Sequence, residues 1–121
     1  MPFSLQEAID KNSRALEACL KSKSRLASIP GLIGEEEQDR AAELSRAANE
    51  ETDLRTLDAH LRASVQVVQP LDNETAKELN DLDNALDQKI RNNLIIGATV
   101  DFISGVLKDV TKVRNIIEDH T

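Results

Sequence analysis

The sequence predicts an all-α fold, namely an elongated antiparallel bundle of three long helices, or of four if the last helix breaks near Asn92. Two Phe are the only aromatic residues among 121, whereas β-sandwiches and barrels favour aromatic residues in their strands. Between two short Pro-containing breaks, at residues 29–34 and 69–72, apolar residues recur at steps of three and four. The length fits one domain, so we expect residues 1–121 to form a single helical bundle.

The first helix is expected at about residues 4–29. Ser4 and Glu7 have the spacing of a capping box, which marks a helix N-terminus. The apolar stripe that follows is interrupted by two polar residues, Asn12 and Lys23. It contains Leu5, Ile9, Leu16, Cys19 and Leu26.

The second helix is expected at about residues 35–69. Glu35, Glu36 and Glu37 lie where a helix N-terminus favours negative charge. Pro70 disfavours the α conformation at Gln69, so the helix should end there.

The third helix is expected at about residues 73–119. Asn92 and Asn93 could cap a separate fourth helix, because Asn is a good N-cap residue. The apolar stripe nevertheless keeps its phase across both, which favours one continuous helix.

Helix lengths predict an uncovered apolar strip near the C-terminus. Short connections make neighbouring helices antiparallel, and the third helix, at about 70 Å, would be longer than the second, at about 52 Å. Residues 111–121 should then extend past the second helix. We therefore expect another molecule to cover the strip that contains Val110, Val113 and Ile117.

Small residues mark an edge of the same helix. Residues 94–107 are mostly apolar but too short to span a bilayer as a helix, which needs about 20 residues. Gly97, Asp101 and Gly105 recur every four residues, and glycines in a helix suggest close backbone approach. The partner-binding surface is accordingly predicted to comprise Gly97, Asp101, Gly105, Leu107, Val110, Val113 and Ile117.

Three polar interruptions of the apolar stripes fall at one level of the antiparallel register. These residues are Asn12, Glu51 and Asn93. We expect them to form a hydrogen-bonded layer, since such layers fix register or oligomeric state at some cost in stability.

Composition excludes several functions. The net charge is -7, so no basic stripe is present to follow a nucleic-acid backbone. Cys19 is the single cysteine, which excludes an internal disulfide and fits a reducing compartment. His60 and His120 lack the spacing of di-iron ligands, and no catalytic triad or phosphate-binding loop can be assembled.

Paired carboxylates provide the main enzymatic alternative. All-α nucleotide pyrophosphohydrolases hold Mg²⁺ through carboxylates three residues apart on neighbouring helices, and such spacing places both on one helix face. In an acidic helical chain this spacing also arises by chance, so these pairs are weak metal candidates. They are Glu36 and Asp39, Glu50 and Asp53, and Glu78 and Asp81.

We therefore expect a non-enzymatic, cytoplasmic interaction protein without a cofactor. It would self-associate, a dimer being favoured, or dock a helical partner through the C-terminal half of its last helix. An Mg²⁺-dependent nucleotide hydrolase is the alternative. A secreted or membrane-acting protein is a second alternative, although the acidic flanks of residues 94–107 argue against membrane binding.

Overall fold

A computed structural model describes residues 4–64, 71–94 and 97–121 of the chain. These residues contain four α-helices and no strand, which confirms the all-α prediction. The helices are α1 (Leu5–Ser28), α2 (Glu35–Ala63), α3 (Asn73–Lys89) and α4 (Val100–Asp119), and a π-helical turn (Ile90–Leu94) follows α3.

The helices alternate in direction along the chain. Two bonds fix α1 and α2 as antiparallel, because Asn12 Nδ2 donates to the Leu54 carbonyl at 3.0 Å and Cys19 Sγ to the Ala47 carbonyl at 3.2 Å. The α3 and α4 helices are also antiparallel, because Lys89 at the end of α3 pairs with Asp109 in the first half of α4, and Asp72 at the start of α3 lies near His120 at the end of α4. The α1 and α4 helices pack on each other, with α2 and α3 on opposite sides of this pair.

The structure contains the four-helix alternative rather than a continuous third helix. Residues 97–99 are not helical, and the Thr99 side chain caps α4 by accepting a hydrogen bond from the Phe102 N–H at 3.3 Å. Gly97 is a poor helix former and Thr is a good N-cap, so both residues favour a break here. The continuous apolar stripe does not prevent this break, because α3 and α4 each bury their own half of the stripe in the core.

The break also removes the predicted C-terminal overhang. Because α4 folds back along α1 and α2, its apolar face is covered within one chain. The residues of α4 that are buried are Ile103, Val106, Leu107, Val110, Val113 and Ile117. Helices of the same chain therefore cover the residues that, from the sequence, a partner is expected to cover.

The α2 helix ends earlier than predicted. Ser64 is extended, and its N–H donates to the Leu61 carbonyl at 3.1 Å, so the helix stops at Ala63 and not at Gln69. The sequence that follows contains three valines, whose β-branched side chains lower helix propensity. Residues 65–69, which are the last five of the predicted helix, and Pro70 lie outside the described residues.

Within the described part of the chain, none of the helices combines the length and the apolar character required to cross a membrane.

Candidate functional site: the loop end of the bundle

One end of the bundle carries an exposed apolar loop. Residues 29–34 join α1 to α2, and Gly31 (φ 76°) and Gly34 (φ 62°) adopt the left-handed backbone that this turn requires. Ile33 lies between them with 79% of its surface exposed, the largest exposed fraction of any large hydrophobic residue described. We call residues 29–34, together with residues 98–101 beside them, the loop end.

A cavity of about 320 Å³ opens beside this loop. Its apolar wall comes from two parts of the chain. Ile29 and Leu32 belong to the loop, whereas Ala98 lies just before α4 and Val100 is its first residue. These four residues are only partly buried, so the wall faces solvent. A cavity of this size can accept an aliphatic side chain or a small ligand.

Carboxylates form the rim of the cavity. Glu36 and Asp39 of α2 and Asp101 of α4 line it, and all three are exposed. None of the three pairs with a cationic side chain among the described residues. The loop end thus combines an apolar floor with unneutralised negative charge, which attracts a basic group on a binding molecule.

The structure divides the predicted partner-binding residues into two groups. Gly97 and Asp101 are exposed at or next to the loop end, and Gly105 is half-buried with the Lys89 ammonium 3.9 Å from the place of an added Cβ. The other four are fully buried inside the bundle and cannot form an outer surface of the folded chain, which corrects that part of the prediction. They are Leu107, Val110, Val113 and Ile117.

Two of the three residues predicted to form a polar layer are described, and the hydrogen bonds of each go to other partners. Asn12 is fully buried, but its partner is the Leu54 carbonyl, and its Oδ1 has no hydrogen bond with any described residue. Glu51 instead bonds Arg55 Nε at 3.0 Å and Lys23 Nζ at 3.1 Å, and these bonds lower its pKa. The Asn93 side chain lies outside the described residues.

The carboxylate that is buried is the neighbouring one, Glu50. It accepts hydrogen bonds from Arg114 and, at 3.0 Å, from Thr111 Oγ1, which link α2 to α4. Burial alone would lower the pKa of Arg114, but its hydrogen bonds to Glu50 and Glu118 raise it. The sequence identifies Glu50 only as a metal candidate and does not predict its burial, because Glu50 lies outside the apolar stripe assigned to α2.

Ion pairs cross four helix–helix interfaces of the bundle. On one side of the α1–α4 pair, Lys23 with Glu51 and Glu50 with Arg114 hold α2. On the opposite side Asp83 of α3 accepts from Lys11 Nζ at 3.2 Å and Arg14 Nη1 at 3.0 Å of α1, and Lys89 donates to Asp109 of α4 at 2.7 Å. These ion pairs hold the helices in position. They do not include the three carboxylates at the rim of the loop-end cavity, whose negative charge they therefore do not neutralise.

The candidate metal-binding carboxylates do not converge. Among residues 4–64, 71–94 and 97–121, no three His, Cys, Asp or Glu side chains are arranged so that they could hold one metal ion. Glu36 and Asp39 line the loop-end cavity, Glu50 and Asp53 both face Arg114, and Glu78 and Asp81 line a groove on the surface of α3. A cation at Glu50 would have to displace the Arg114 guanidinium.

Cys19 and the two histidines show no catalytic arrangement. Burial, assisted by the charges of Glu50 and Glu51, raises the pKa of Cys19 to about 12, so its thiol is a poor nucleophile. His60 is exposed on α2, and His120 Nδ1 lies 2.8 Å from the Ile116 carbonyl at the end of α4.

Comparison of the chain with known protein families, characterised proteins and solved structures finds no match. The functional conclusion therefore depends on the loop end and its chemistry.

Proposed function

We propose that this protein is a non-enzymatic interaction module that docks a basic, amphipathic helical segment of another protein at its loop end. The observation that supports this most directly is the exposure of Ile33 beside an open apolar cavity. An isolated exposed hydrophobic residue is common, but an apolar loop next to a cavity and a polar rim is typical of a binding surface.

The charge of the rim selects the kind of partner. Glu36, Asp39 and Asp101 surround the cavity, so a segment that places Lys or Arg beside an aliphatic side chain is complementary to it. A helix supplies that combination because residues three or four apart lie on one face. The aliphatic side chain would enter the cavity and the basic ones would contact the carboxylates.

The same charge argues against self-association at this surface. A second copy would bring its own acidic rim to the contact, and like charges facing each other disfavour binding. A homo-oligomer remains a prediction from the sequence, but the uncovered C-terminal strip that suggested it is filled within one chain. We also propose a cytoplasmic location, since the single cysteine is buried as a thiol.

The test uses a fluorescein-labelled amphipathic helical peptide with a Leu face flanked by Lys and Arg. A matched peptide carries Glu at each basic position. We expect the basic peptide to bind at least about tenfold more tightly, and its affinity to fall as salt is raised, because charge complementarity sets the difference. Anisotropy of the labelled peptide gives both affinities.

Two serine variants locate the binding surface. Ile33→Ser should weaken binding by about tenfold because it removes the exposed aliphatic contact. Leu20→Ser is the control, since Leu20 is also a large exposed hydrophobic residue but lies on the surface of α1, in a groove with Leu16. Equal binding of the two peptides, or equal loss in the two variants, would contradict the proposal.

A further inference from the structure

The α3 helix has the smallest share of the apolar core. Only two of the seventeen buried hydrophobic residues described, Leu79 and Leu86, belong to it, whereas α4 contributes six. The remaining buried residue of α3 is charged, namely Asp83. Because apolar burial is the main term that holds a helix in a bundle, α3 is held less firmly than its neighbours.

Polar contacts hold α3 on both of its long sides. Asp83 Oδ2 accepts hydrogen bonds from Lys11 and Arg14 of α1, and Lys89 donates to Asp109 of α4. The second carboxylate oxygen of Asp83 is buried and makes no hydrogen bond within the described residues. The attachment of α3 to α1 and α4 thus depends strongly on ion pairs, one of which includes the half-exposed Arg14.

The backbone after α3 departs from regular helix. The π-helical turn Ile90–Leu94 follows it directly, and residues 97–99 are not helical. A π-helical turn interrupts the regular hydrogen-bond pattern, and non-helical residues before the Thr99 cap allow α4 to stay folded when α3 moves.

We propose that α3 with its π-helical turn is a detachable strap, which opens as a unit while α1, α2 and α4 remain folded. Asp83 and Lys89 are the contacts that close it. Opening uncovers the side of the α1–α4 pair that faces away from α2. These observations do not involve the docking surface at the loop end, and the test below is independent of it.

Native-state hydrogen exchange of the whole chain tests the strap. We expect amides of residues 79–89 to exchange at least about tenfold faster than the most protected amides of α1 and α4, because the strap opens without global unfolding. Equal protection in all four helices, with one common dependence on low urea concentrations, would overturn the proposal.

Two carboxamide variants separate the closing contact from a general effect of charge. Asp83→Asn should accelerate exchange in α3 by about tenfold and leave α1 and α4 unchanged, since it weakens charge-assisted hydrogen bonds to α1. Asp87→Asn is the control, because the ion pair that Asp87 makes in the described part of the chain is with the exposed Arg91, four residues along. Acceleration by both variants, or uniform acceleration of all helices by Asp83→Asn, would contradict the assigned role.

A third variant covers the case in which Asp83→Asn does not fold. Lys89→Gln removes the contact with Asp109 at the other side of the strap and should likewise accelerate exchange only in α3. Unchanged exchange in this variant would show that Lys89 does not close the strap.

Discussion

The Glu50 carboxylate of α2 accepts a hydrogen bond from the Arg114 guanidinium of α4, and the exposed fractions of the two side chains are only 7% and 13%. Thr111 donates to the same carboxylate, and Glu118 and Asp53 lie on the outer side of the guanidinium. The α2–α4 interface therefore contains a nearly buried charge pair.

Removing one member of this pair should destabilise the protein strongly. We expect Arg114→Met to lower the free energy of unfolding by about 3 kcal/mol, because Glu50 is then left as a buried charge. The double variant Glu50→Leu/Arg114→Met should recover most of that loss, since neither charge is buried. Urea unfolding followed by circular dichroism measures all three proteins.

An exposed pair provides the control for this cycle. Arg62 bonds Asp58 at 3.0 Å on the surface of α2, and such pairs contribute at most about 1 kcal/mol. Arg62→Met should therefore have a small effect. If Arg114→Met costs no more than Arg62→Met, the Glu50–Arg114 pair is not desolvated as the structure indicates.

The Cys19 thiol should make stability fall at alkaline pH. Burial raises its pKa to about 12 from an ordinary value of 9.0, so the unfolded chain loses the proton first as the pH rises. Between these values the native state binds one more proton, and the free energy of unfolding should decrease by about 1.4 kcal/mol per pH unit. Below pH 9 the thiol makes no pH-dependent contribution.

Comparison with Cys19→Ala isolates this slope from the titration of other groups. The variant leaves a small cavity, whose cost does not depend on pH, but it lacks the titrating thiol. Urea unfolding at pH 8 and at pH 10.5 gives the decrease in the free energy of unfolding for each protein, which should be larger by about 2 kcal/mol for the protein that contains Cys19. An equal decrease in both proteins would mean that the native thiol titrates normally.

The residues once expected to bind a partner should behave as core of a single chain. Leu107→Ala is expected to lower the free energy of unfolding by about 2–5 kcal/mol, because the fully buried side chain leaves a cavity. The unfolding midpoint should not change over a hundredfold range of protein concentration, and light scattering should give a constant molar mass.

Ile33→Ser is the matched control for burial, since Ile33 is 79% exposed and its replacement should change stability by about 0.5 kcal/mol or less. A midpoint that rises with concentration, together with a lower molar mass for Leu107→Ala, would instead indicate that Leu107 lies between copies.

Local signals in the sequence predicted the beginnings of α1, α2 and α3, but not the Thr99 cap at which α4 begins. Ser4 caps α1 by accepting from the Glu7 N–H at 3.1 Å, and Asp72 caps α3 by accepting from the Thr75 N–H at 2.7 Å, which lowers its pKa. The predicted α1–α2 register was also close, since it places Asn12 at the level of Glu51, and in the structure Asn12 bonds Leu54, three residues further along α2. Short-range capping and a short turn determine these features without help from distant residues.

The predicted C-terminal overhang was wrong because it depends on contacts between segments that are far apart in the sequence. The stripe that contains Val110 and Ile117 is compatible with a continuous helix that overhangs and with a helix that folds back, and periodicity alone does not separate them. Folding back buries the stripe within one chain, so it is favoured by the apolar area removed from water. The folding back of α4 also creates the loop end, because it brings the start of α4 beside the loop that joins α1 to α2.

By itself, the sequence determined the helical class, the position of the first turn and the beginnings of the first three helices, because these depend on residues only a few positions apart. Only the tertiary structure decided that Glu50 rather than Glu51 is buried, since about 100° of rotation separates neighbouring residues on a helix. It also decided that the C-terminal stripe is core and that the apolar surface lies at Ile33. Those outcomes depend on which helices pack together, and that choice is made by the whole chain.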